Sequence, residues 1–560
     1  MEQIDMTVDF LVIGSGAGAI GALRASTLGK TALVVEKTNL FGGSTSMSGG
    51  VIWAPQNKLM RAEGIHDSRK EVLEYFDTLI GDAGFASSPA RRNAYIDGVL
   101  KMLDFLENEG VHFKRCPGMA DYFSGMRGIR GGSKEGRSIE PLKFNRKKLG
   151  KEWFKNVRPG FSPDLNIYTG EAADLSAMRT GAGIRTLFRV IGRTIAGHLS
   201  GQKVVTNGEA LMSAVLYALL KHKVPVWLNS SVTELILDGD KVIGAVIAKE
   251  GKLVRVHAKG GVLIASGGFS RNLKMRKEFA GHIGEMSDKW TSANPGDTGE
   301  VLGMAMKLGA ATDMLDEAWW MPTWFLNDVP QMCLSERCKP HSIIVDAKGE
   351  RFMDESISYQ EAGHQMYKRQ RDVGGALPCW LIFDTYHRNH YAFLMAPPFA
   401  TPKAWLESGA FKKATTLEEL AKKCGIDSKG LNKTVQRFNT FAKDGTDPDF
   451  YRGEGHFGLF YGDQSHKPNA ALGPVDQPPY YAVALYPGDI GTSGGLLCDE
   501  NGQVLRPDGT TISGLYATGN ATASVMGRAY PGAGATIGAS AIFAYLAAEH
   551  ISLNKNKSAC

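Results

Sequence analysis

The chain opens on a short apolar run, residues 10–13, then a stretch of helix formers, 17–28, then a second apolar run, 32–35. Strand, helix and strand in that order predict a parallel β-α-β unit. The same rhythm returns later. A helix is expected from Asn207 to about Lys221, and a strand over 224–228. Residues 231–237, 241–249 and 252–257 alternate apolar and polar positions between turns at Asp238-Gly239-Asp240 and Glu250-Gly251. They read as a three-stranded meander, and 262–265 as a further apolar strand. Between about 280 and 487 aromatics and prolines are denser and no β-α repeat is visible. Glycine-rich turns resume at Gly488, and a long helix starts near Ala535. The pattern predicts an α/β domain split in sequence, 1–278 with 488–560, around an inserted α+β cap domain, 279–487. Residues 554–560 carry no pattern and read as a frayed end.

One stretch within the first part breaks this scheme. Residues 143–158 hold Lys143, Arg146, Lys147, Lys148, Lys151, Lys155 and Arg158 against a single acid, Glu152, with Phe144, Trp153 and Phe154 interleaved. Ile184, Leu187, Phe188, Ile191 and Ile195 then fall on one helical stripe, and Arg185, Arg189 and Arg193 on another face. Two readings stand for the segment 143–205. Either the stripe packs on the protein's own core and the arginines are solvated, or the helix lies on an anionic membrane surface as a peripheral contact. A nucleic-acid partner is not expected.

Composition narrows the class. With 43% hydrophobic and 22% charged residues the chain is an ordinary globular protein, and 560 residues allow two or three domains. No run of about 18 apolar residues occurs, so no transmembrane helix is expected. The acidic first residues lead straight into a strand, which does not fit a signal peptide. Seven scattered cysteines without metal-type spacing suggest free thiols in a reducing compartment, hence a cytoplasmic protein. The net charge of +6 says little by itself.

The first β-α-β unit carries a dinucleotide fingerprint. Gly14-Ser15-Gly16-Ala17-Gly18-Ala19 follows the first strand and opens the helix, and Glu36 ends the second strand twenty residues after Gly16. Gly14 allows the tight turn, Gly16 lets backbone approach a pyrophosphate, and Ala19 permits helix–strand packing. The helix N-terminus faces the anion, and Glu36 would accept ribose hydroxyls. The run after Glu36 and Lys37 contains Gly43, Ser44, Thr45, Ser48, Gly49 and Gly50, small and hydroxylic residues suited to wrapping a second flat ring. Residues 514–520, ending in Gly519 and Asn520, resemble the strand and turn that close an FAD site. Ala265-Ser266-Gly267-Gly268 resembles another flavoprotein turn. The expected cofactor is FAD on a Rossmann-type domain, with Val232, Asp297 and the helix start Ala535, Thr536 and Ile537 as further contacts. It is expected to be non-covalent, since no histidine stands near residues 42–46. No metal is expected, because His387 and His390 lack carboxylate company in the sequence.

The fingerprint, together with Val35-Glu36-Lys37, residues 41–45 and residues 48–50, resembles the fumarate reductase and succinate dehydrogenase flavoprotein superfamily. Within it, four features resemble the 3-ketosteroid Δ1-dehydrogenases. They are Asp121-Tyr122 with residues 136–141, residues 351–359 ending in Tyr359, residues 487–495, and residues 523–538 with Tyr530-Pro531-Gly532-Ala533-Gly534. The resemblance covers nearly the whole chain, although the segment 143–205 looks longer than in shorter members. It implies a flavin-dependent oxidoreductase of steroid degradation. Such an enzyme takes a proton from C2 and a hydride from C1 of a 3-ketosteroid and passes the electrons to an acceptor such as a quinone. It implies that Tyr530 and the backbone N–H of Gly534 hold the C3 oxygen, that Tyr359 is the base, and that Tyr122 donates to its phenolate. A free tyrosine, with a pKa of about 10, is a poor base at neutral pH, so such help is needed. Tyr386 and Tyr391 are the fallback bases. Asp354 and Glu355 read as a structural pair bracing the cap against the flavin domain.

Three alternatives remain at this level. A 3-ketosteroid Δ4-dehydrogenase would also use tyrosines and a C3 carbonyl. A fumarate-type reductase would need histidine and arginine for a dicarboxylate, where this chain carries tyrosines. A non-catalytic flavin-binding protein would have no use for the tyrosines at all.

Overall fold

The computed structural model describes residues 4–161, 165–394 and 396–554, and elements are counted among these. Strand Met6–Ile13 pairs in parallel with Ala32–Val35 on one side and with Lys252–Ile264 on the other. Val226–Trp227 and Thr511–Ala517 extend the parallel sheet outward, so segments far apart in sequence share one layer. Such a sheet is buried on both faces, and its strands are apolar accordingly. Helix Ala19–Thr27 covers one face and packs on the last helix, Ala535–Asn554. This is an α/β Rossmann-type architecture with an attached antiparallel cap.

Two expected strands are one. Residues 252–257 and 262–265 belong to the continuous strand Lys252–Ile264. It pairs antiparallel with Lys241–Lys249 and parallel with Met6–Ile13. Gly260 and Gly261, which lie between the two expected strands, are the crossing point: a Cβ at Gly260 would come 2.8 Å from the Asp9 carbonyl oxygen.

The cap is built on an antiparallel sheet in the order Val329–Met332, Ala318–Leu326, Tyr480–Thr492, Cys379–Phe383, Ser342–Val345, with Lys412–Ala414 also on Tyr480–Thr492. The boundary expected at 487/488 falls inside the strand Tyr480–Thr492. Helix Glu300–Lys307, expected in the cap, buries Val301, Leu302 and Ala305 with Leu11, Leu33 and Val262 of the parallel sheet. Its apolar side is satisfied by the nearest buried sheet face, whatever the local composition suggests.

A small sheet of Ile52–Trp53, Ser138–Pro141 and Phe113–Arg115, with helices Arg69–Leu79 and Pro89–Asn108, joins the last helix in the largest core. That core contains Tyr122, Tyr359 and Tyr530. The stretch Ala535–Leu553 is long and apolar enough to cross a membrane by length and composition alone. Its apolarity has another cause: Ala541, Ile542, Ala544, Ala547 and Ala548 are fully buried against Ala19–Thr27 and Pro89–Asn108.

In the segment 143–205 neither expectation holds whole. Helix Gly181–Leu199 buries Gly183, Thr186, Val190 and Gly197, and turns Ile184, Phe188, Ile191, Ile195 and Leu199 outward, Phe188 with 70% exposure. The apolar stripe therefore does not pack on the protein's own core. The inward face is made of small residues because the neighbouring chain is close; a Cβ on Gly183 would lie 2.3 Å from the Ala177 carbonyl oxygen. Arg185 and Arg189 are exposed, but Arg193 pairs with Glu171 at 3.0 Å and lies over the Tyr168 ring. Arg146 is likewise buried on Glu209, at 2.5 Å. Residues 162–164 of this segment, and 555–560 of the expected frayed end, lie outside the described residues.

Candidate active site

Several turns meet beyond the C-terminal ends of the parallel strands, where ligands of such sheets bind. Gly14 has φ +107°, and a Cβ there would lie 2.2 Å from the Ala265 carbonyl oxygen. Gly18 is pressed on the same residue, its Cβ position 2.3 Å from the Ala265 Cβ. Gly16 differs: a Cβ would meet only Thr45 Oγ1 at 3.3 Å and the Gly42 carbonyl oxygen at 3.9 Å. Thr45 Oγ1 accepts the Ala17 N–H at 3.1 Å, so the first turn and the run 42–50 face each other across Gly16 and Gly43. Ser48 donates to the Thr45 carbonyl at 2.7 Å, and Gly49 and Gly50 lie against Thr169 and Asn207. Ser44 donates to Asp297 at 3.1 Å, and Asp297 lies close to Gly267. Gly268 abuts the Asn520 carbonyl oxygen, and Gly519 abuts Ser540 at the last helix. Asn520 accepts the Trp319 indole N–H at 2.9 Å.

The result is a cradle of backbone and small side chains at the start of helix Ala19–Thr27, which is the donor set a pyrophosphate requires. These residues fit FAD. Burial pushes the Asp297 carboxyl up to about 7, against the help of Ser44 and Lys37. Two expected cofactor residues are engaged elsewhere. Glu36 accepts Ser15 Oγ at 2.6 Å, Ser15 N–H at 3.3 Å, and the Thr38 N–H and Oγ1, both at 2.9 Å. Ribose hydroxyls would have to share that carboxylate. Lys37 reaches Thr298 at 2.6 Å and Glu300 at 3.1 Å, drawn to the acid that opens helix Glu300–Lys307. Val232 sits in the meander and is buried in the core beside the sheet.

Next to the cradle three tyrosines close on one another. Tyr122 donates to the Tyr359 hydroxyl at 3.3 Å. The Tyr122 and Tyr530 rings are stacked at 5.3 Å, and Tyr359 meets Tyr530 edge-on at 5.1 Å. Tyr359 is the first residue of the cap helix Tyr359–Asp372, and Tyr122 and Tyr530 come from loops on the flavin side. Phe457 packs on Tyr122 and Trp319 on Tyr530. All three tyrosines are buried. Burial drives the Tyr122 and Tyr359 hydroxyls well above the usual tyrosine pKa. Burial also raises Tyr530, where hydrogen bonds from Thr536, Tyr359 and the Gly534 N–H work the other way. Thr536 Oγ1 lies 3.3 Å from the Tyr530 hydroxyl, at the start of the last helix with Ala535 and Ile537.

The loop carrying Tyr530 and Gly534 is firmly tied. The Pro531 carbonyl accepts both the Tyr122 N–H, at 2.9 Å, and the Tyr75 hydroxyl, at 2.7 Å. Ser138 donates to the Ala533 carbonyl at 2.9 Å. Asp121, beside Tyr122, accepts the Trp53 indole N–H at 2.8 Å and pairs with buried Arg137, which also binds Asp67 at 2.8 Å. A cavity of about 890 Å³ leads to Tyr530. Its lining includes apolar Leu79, Ile80, Phe123, Met126 and Ile357 and polar Glu317, Glu361, His364 and Arg528.

The fallback bases do not join this group. Tyr386 is stacked between His341 and His390, at 4.0 and 3.7 Å, and Tyr391 donates to Asp463 at 2.9 Å. Glu355 is bound by Arg351 at 2.7 Å and Arg452 at 3.0 Å, and Asp354 accepts the Ser356 hydroxyl at 2.7 Å, so the acidic pair braces the cap internally and not against the flavin side. Sequence reasoning missed Trp319, Tyr75, Phe457, Glu317 and His364. No spacing in the chain marks them, whereas Asp121, Arg137, Ser138 and Arg528 stand inside the motifs that carry the resemblance.

Among the described residues no group of three or more metal-ligating side chains is found. Residues 9–537 match the FAD binding domain family. The 3-oxosteroid 1-dehydrogenase of Mycobacterium tuberculosis is 40% identical, over 97% of this chain and 98% of that protein. A 4-oxocyclohex-2-ene-1-carboxylate 5-dehydrogenase of Sinomonas cyclohexanicum is 33% identical, over 97% and 93%. The crystal structure of 3-ketosteroid delta1-dehydrogenase from Sterolibacterium denitrificans, in complex with 1,4-androstadiene-3,17-dione, is similar with a TM-score of 0.92. The identity is 35%, over 98% of this chain and 100% of that one. A cradle that fits FAD, a buried tyrosine cluster beside it and these similarities agree: the chain belongs to the FAD-binding-domain family of oxidoreductases and, within it, to the 3-oxosteroid 1-dehydrogenase group.

Proposed function

We propose that this chain desaturates the C1–C2 bond of 3-ketosteroids, in steroid degradation. The observation that carries the reading is the convergence of Tyr122, Tyr359 and Tyr530 beside Gly534, with Tyr530 lining a large cavity of mixed polarity. When bound, FAD supplies the acceptor for the C1 hydride. The chain's own residues do the rest. The Tyr530 O–H and the Gly534 N–H hold the C3 oxygen and take up charge there as C2 loses its proton. Tyr359 receives that proton, and Tyr122 donates to Tyr359 and orients its oxygen. Phe457 and Trp319 keep water from the group, and fixed donors act more strongly in such a dry site than in solvent. A cavity of about 890 Å³ suits a ligand the size of a steroid and would hold a single cyclohexanone ring loosely.

The test is anaerobic mixing with 4-androstene-3,17-dione. Loss of the oxidised flavin absorbance with formation of the 1,4-diene is expected. Reduction only by a saturated 3-ketosteroid, giving the 4-ene, would mean a Δ4 enzyme. Reduction only by 4-oxocyclohexanecarboxylate would mean a small-ketone enzyme.

The electron acceptor in this reading is a quinone, and the protein is cytoplasmic with a peripheral membrane contact through 143–205. The outward stripe of helix Gly181–Leu199, with exposed Arg185 and Arg189 beside it, supports that contact. Free cysteines among the described residues suit a reducing compartment. Flotation with vesicles containing anionic lipid should be abolished by Phe188→Asp with Ile195→Asp; unchanged flotation would end the membrane proposal.

A further inference from the structure

The two tyrosines that act on neighbouring substrate atoms come from different parts of the fold. Tyr359 starts a cap helix, and Tyr530 lies in a loop before the last helix. One buried carboxylate reaches both elements. Glu317 is 3% exposed. One of its oxygens accepts the Trp320 indole N–H at 2.6 Å and His364 Nε2 at 3.0 Å, and the other accepts Arg528 at 3.0 Å. His364 lies on the helix Tyr359–Asp372, and Arg528 stands two residues before Tyr530.

The outer contacts reinforce the link. His364 Nδ1 lies 3.1 Å from Glu361, so each ring nitrogen faces a carboxylate and the ring must be an imidazolium to donate from both. Burial works against that charge, but Glu317 and Glu361 hold the His364 pKa up at about 10. Arg528 also binds Asp316 at 2.7 Å, and Gln360, next to Tyr359, donates to the Arg528 carbonyl at 3.0 Å. Glu317, Glu361, His364 and Arg528 line the same cavity as Tyr530.

We propose that Glu317, acting through His364 and Arg528, is a positioning residue that fixes the spacing between the Tyr359 and Tyr530 hydroxyls. The proposal rests on the desaturase reading above. A base at C2 and donors at the C3 oxygen act on adjacent atoms, so a shift of either element is felt directly. Catalytic groups must be held within about 0.5 Å, and a misplacement of about 1 Å costs roughly 100-fold. Glu317→Gln keeps the shape but has one acceptor oxygen where the carboxylate has two, so either Arg528 or His364 loses its partner.

The experiment follows flavin reduction by 4-androstene-3,17-dione in the FAD-loaded protein, at saturating steroid. Glu317→Gln should reduce its flavin roughly 10- to 100-fold more slowly, with steroid affinity and FAD content unchanged. A C2 deuterium isotope effect should grow, because proton removal becomes the slower step. Arg528 is half exposed, so Arg528→Ala folds; it should show the same split, and Arg528→Lys should recover part of the rate. Equal reduction rates in wild type, Glu317→Gln and Arg528→Ala would overturn the positioning role alone. A loss confined to steroid affinity or melting temperature would overturn it as well, leaving Glu317 a purely structural residue. No reduction in the wild type would overturn the positioning role and the desaturase reading together.

Discussion

Gly534→Ala separates geometry from catalysis at the candidate oxyanion site. Gly534 has φ +89°, and an added Cβ would lie 2.3 Å from the Val51 carbonyl oxygen and 2.6 Å from the Ile52 nitrogen. Both obstacles are backbone, so neither rotates away. Relief to ordinary contact distance takes a displacement of about 1 Å. The N–H that faces the Tyr530 hydroxyl moves with it. Loss of one oxyanion donor costs roughly 100- to 1,000-fold in kcat, about 3–4 kcal/mol. The left-handed backbone adds about 1–2 kcal/mol of destabilisation for any residue with a Cβ. Gly110 isolates that second contribution, since its φ is +87° and nothing stands within 4 Å of the Cβ position. Gly110→Ala should therefore lower stability by about 1–2 kcal/mol and leave turnover intact. Gly534→Ala should show the stability loss and a 100- to 1,000-fold slower reduction of the flavin by a 3-ketosteroid, read in a single anaerobic turnover. A folded, FAD-loaded Gly534→Ala protein that reduces at the wild-type rate would refute the donor role of this N–H.

Tyr359→Phe should slow flavin reduction by roughly 100- to 10,000-fold while steroid still binds, and Tyr122→Phe by roughly 10-fold, as fits the loss of one hydrogen bond at 3.3 Å. Near-normal reduction in Tyr359→Phe would remove it as base. Arg137→Met strands two buried carboxylates, Asp67 and Asp121, and should cost about 3–5 kcal/mol in urea unfolding; a cost under about 1 kcal/mol would contradict the pairing. Asp297 is raised by burial to about 7, above its unfolded value, so the native state holds its proton longer. Apoprotein stability should then fall as pH rises from about 4 to about 7, by a few kcal/mol at most, and Asp297→Asn should flatten that slope.

What the sequence made legible was local. The fingerprint, the helix Asn207–Lys221 and the start of the last helix depend on periodicity and turn chemistry within some thirty residues, and each is where its pattern puts it. The merged strand Lys252–Ile264 was not legible, because a glycine pair signals a break and a crossing alike. Nor was the outward face of helix Gly181–Leu199: an apolar stripe names a surface that can be covered, not what covers it. The tyrosine cluster joins positions 237 residues apart, and the Glu317–Arg528 bond spans 211. No spacing rule reaches so far, so the tyrosines came from motif resemblance, and Glu317, which lies in none of the motifs, stayed hidden. Glu36 was placed in the right turn but without Ser15 and Thr38, whose hydroxyls gave no sign of competing for it.

One tension in the site bears on how the base works. Burial drives the Tyr359 pKa well above its usual value, which argues against a standing phenolate. Yet the hydrogen bonds run in order, Tyr122 to Tyr359 and Tyr359 with Tyr530, whose hydroxyl faces the C3 oxygen in the proposed pose. Tyr359 therefore needs no charge before it acts. As it takes the C2 proton it passes its own to Tyr530, and Tyr530 gives its proton to the C3 oxygen; as C1 gives up its hydride the C3 O–H returns that proton through Tyr530, so the ketone is restored and the one net proton leaves by the cavity that reaches Tyr530. The two schemes differ in pH dependence. A standing phenolate requires reduction to rise about tenfold per pH unit below the Tyr359 pKa. The relay requires a flat profile through the neutral and mildly alkaline range, ending where His364 loses its proton near 10. Single-turnover reduction at saturating steroid decides between them, and the expected result is the flat profile. A slope near one across neutral pH would mean that the protein forms the phenolate first, and that the donor bond from Tyr122 does more than orient it.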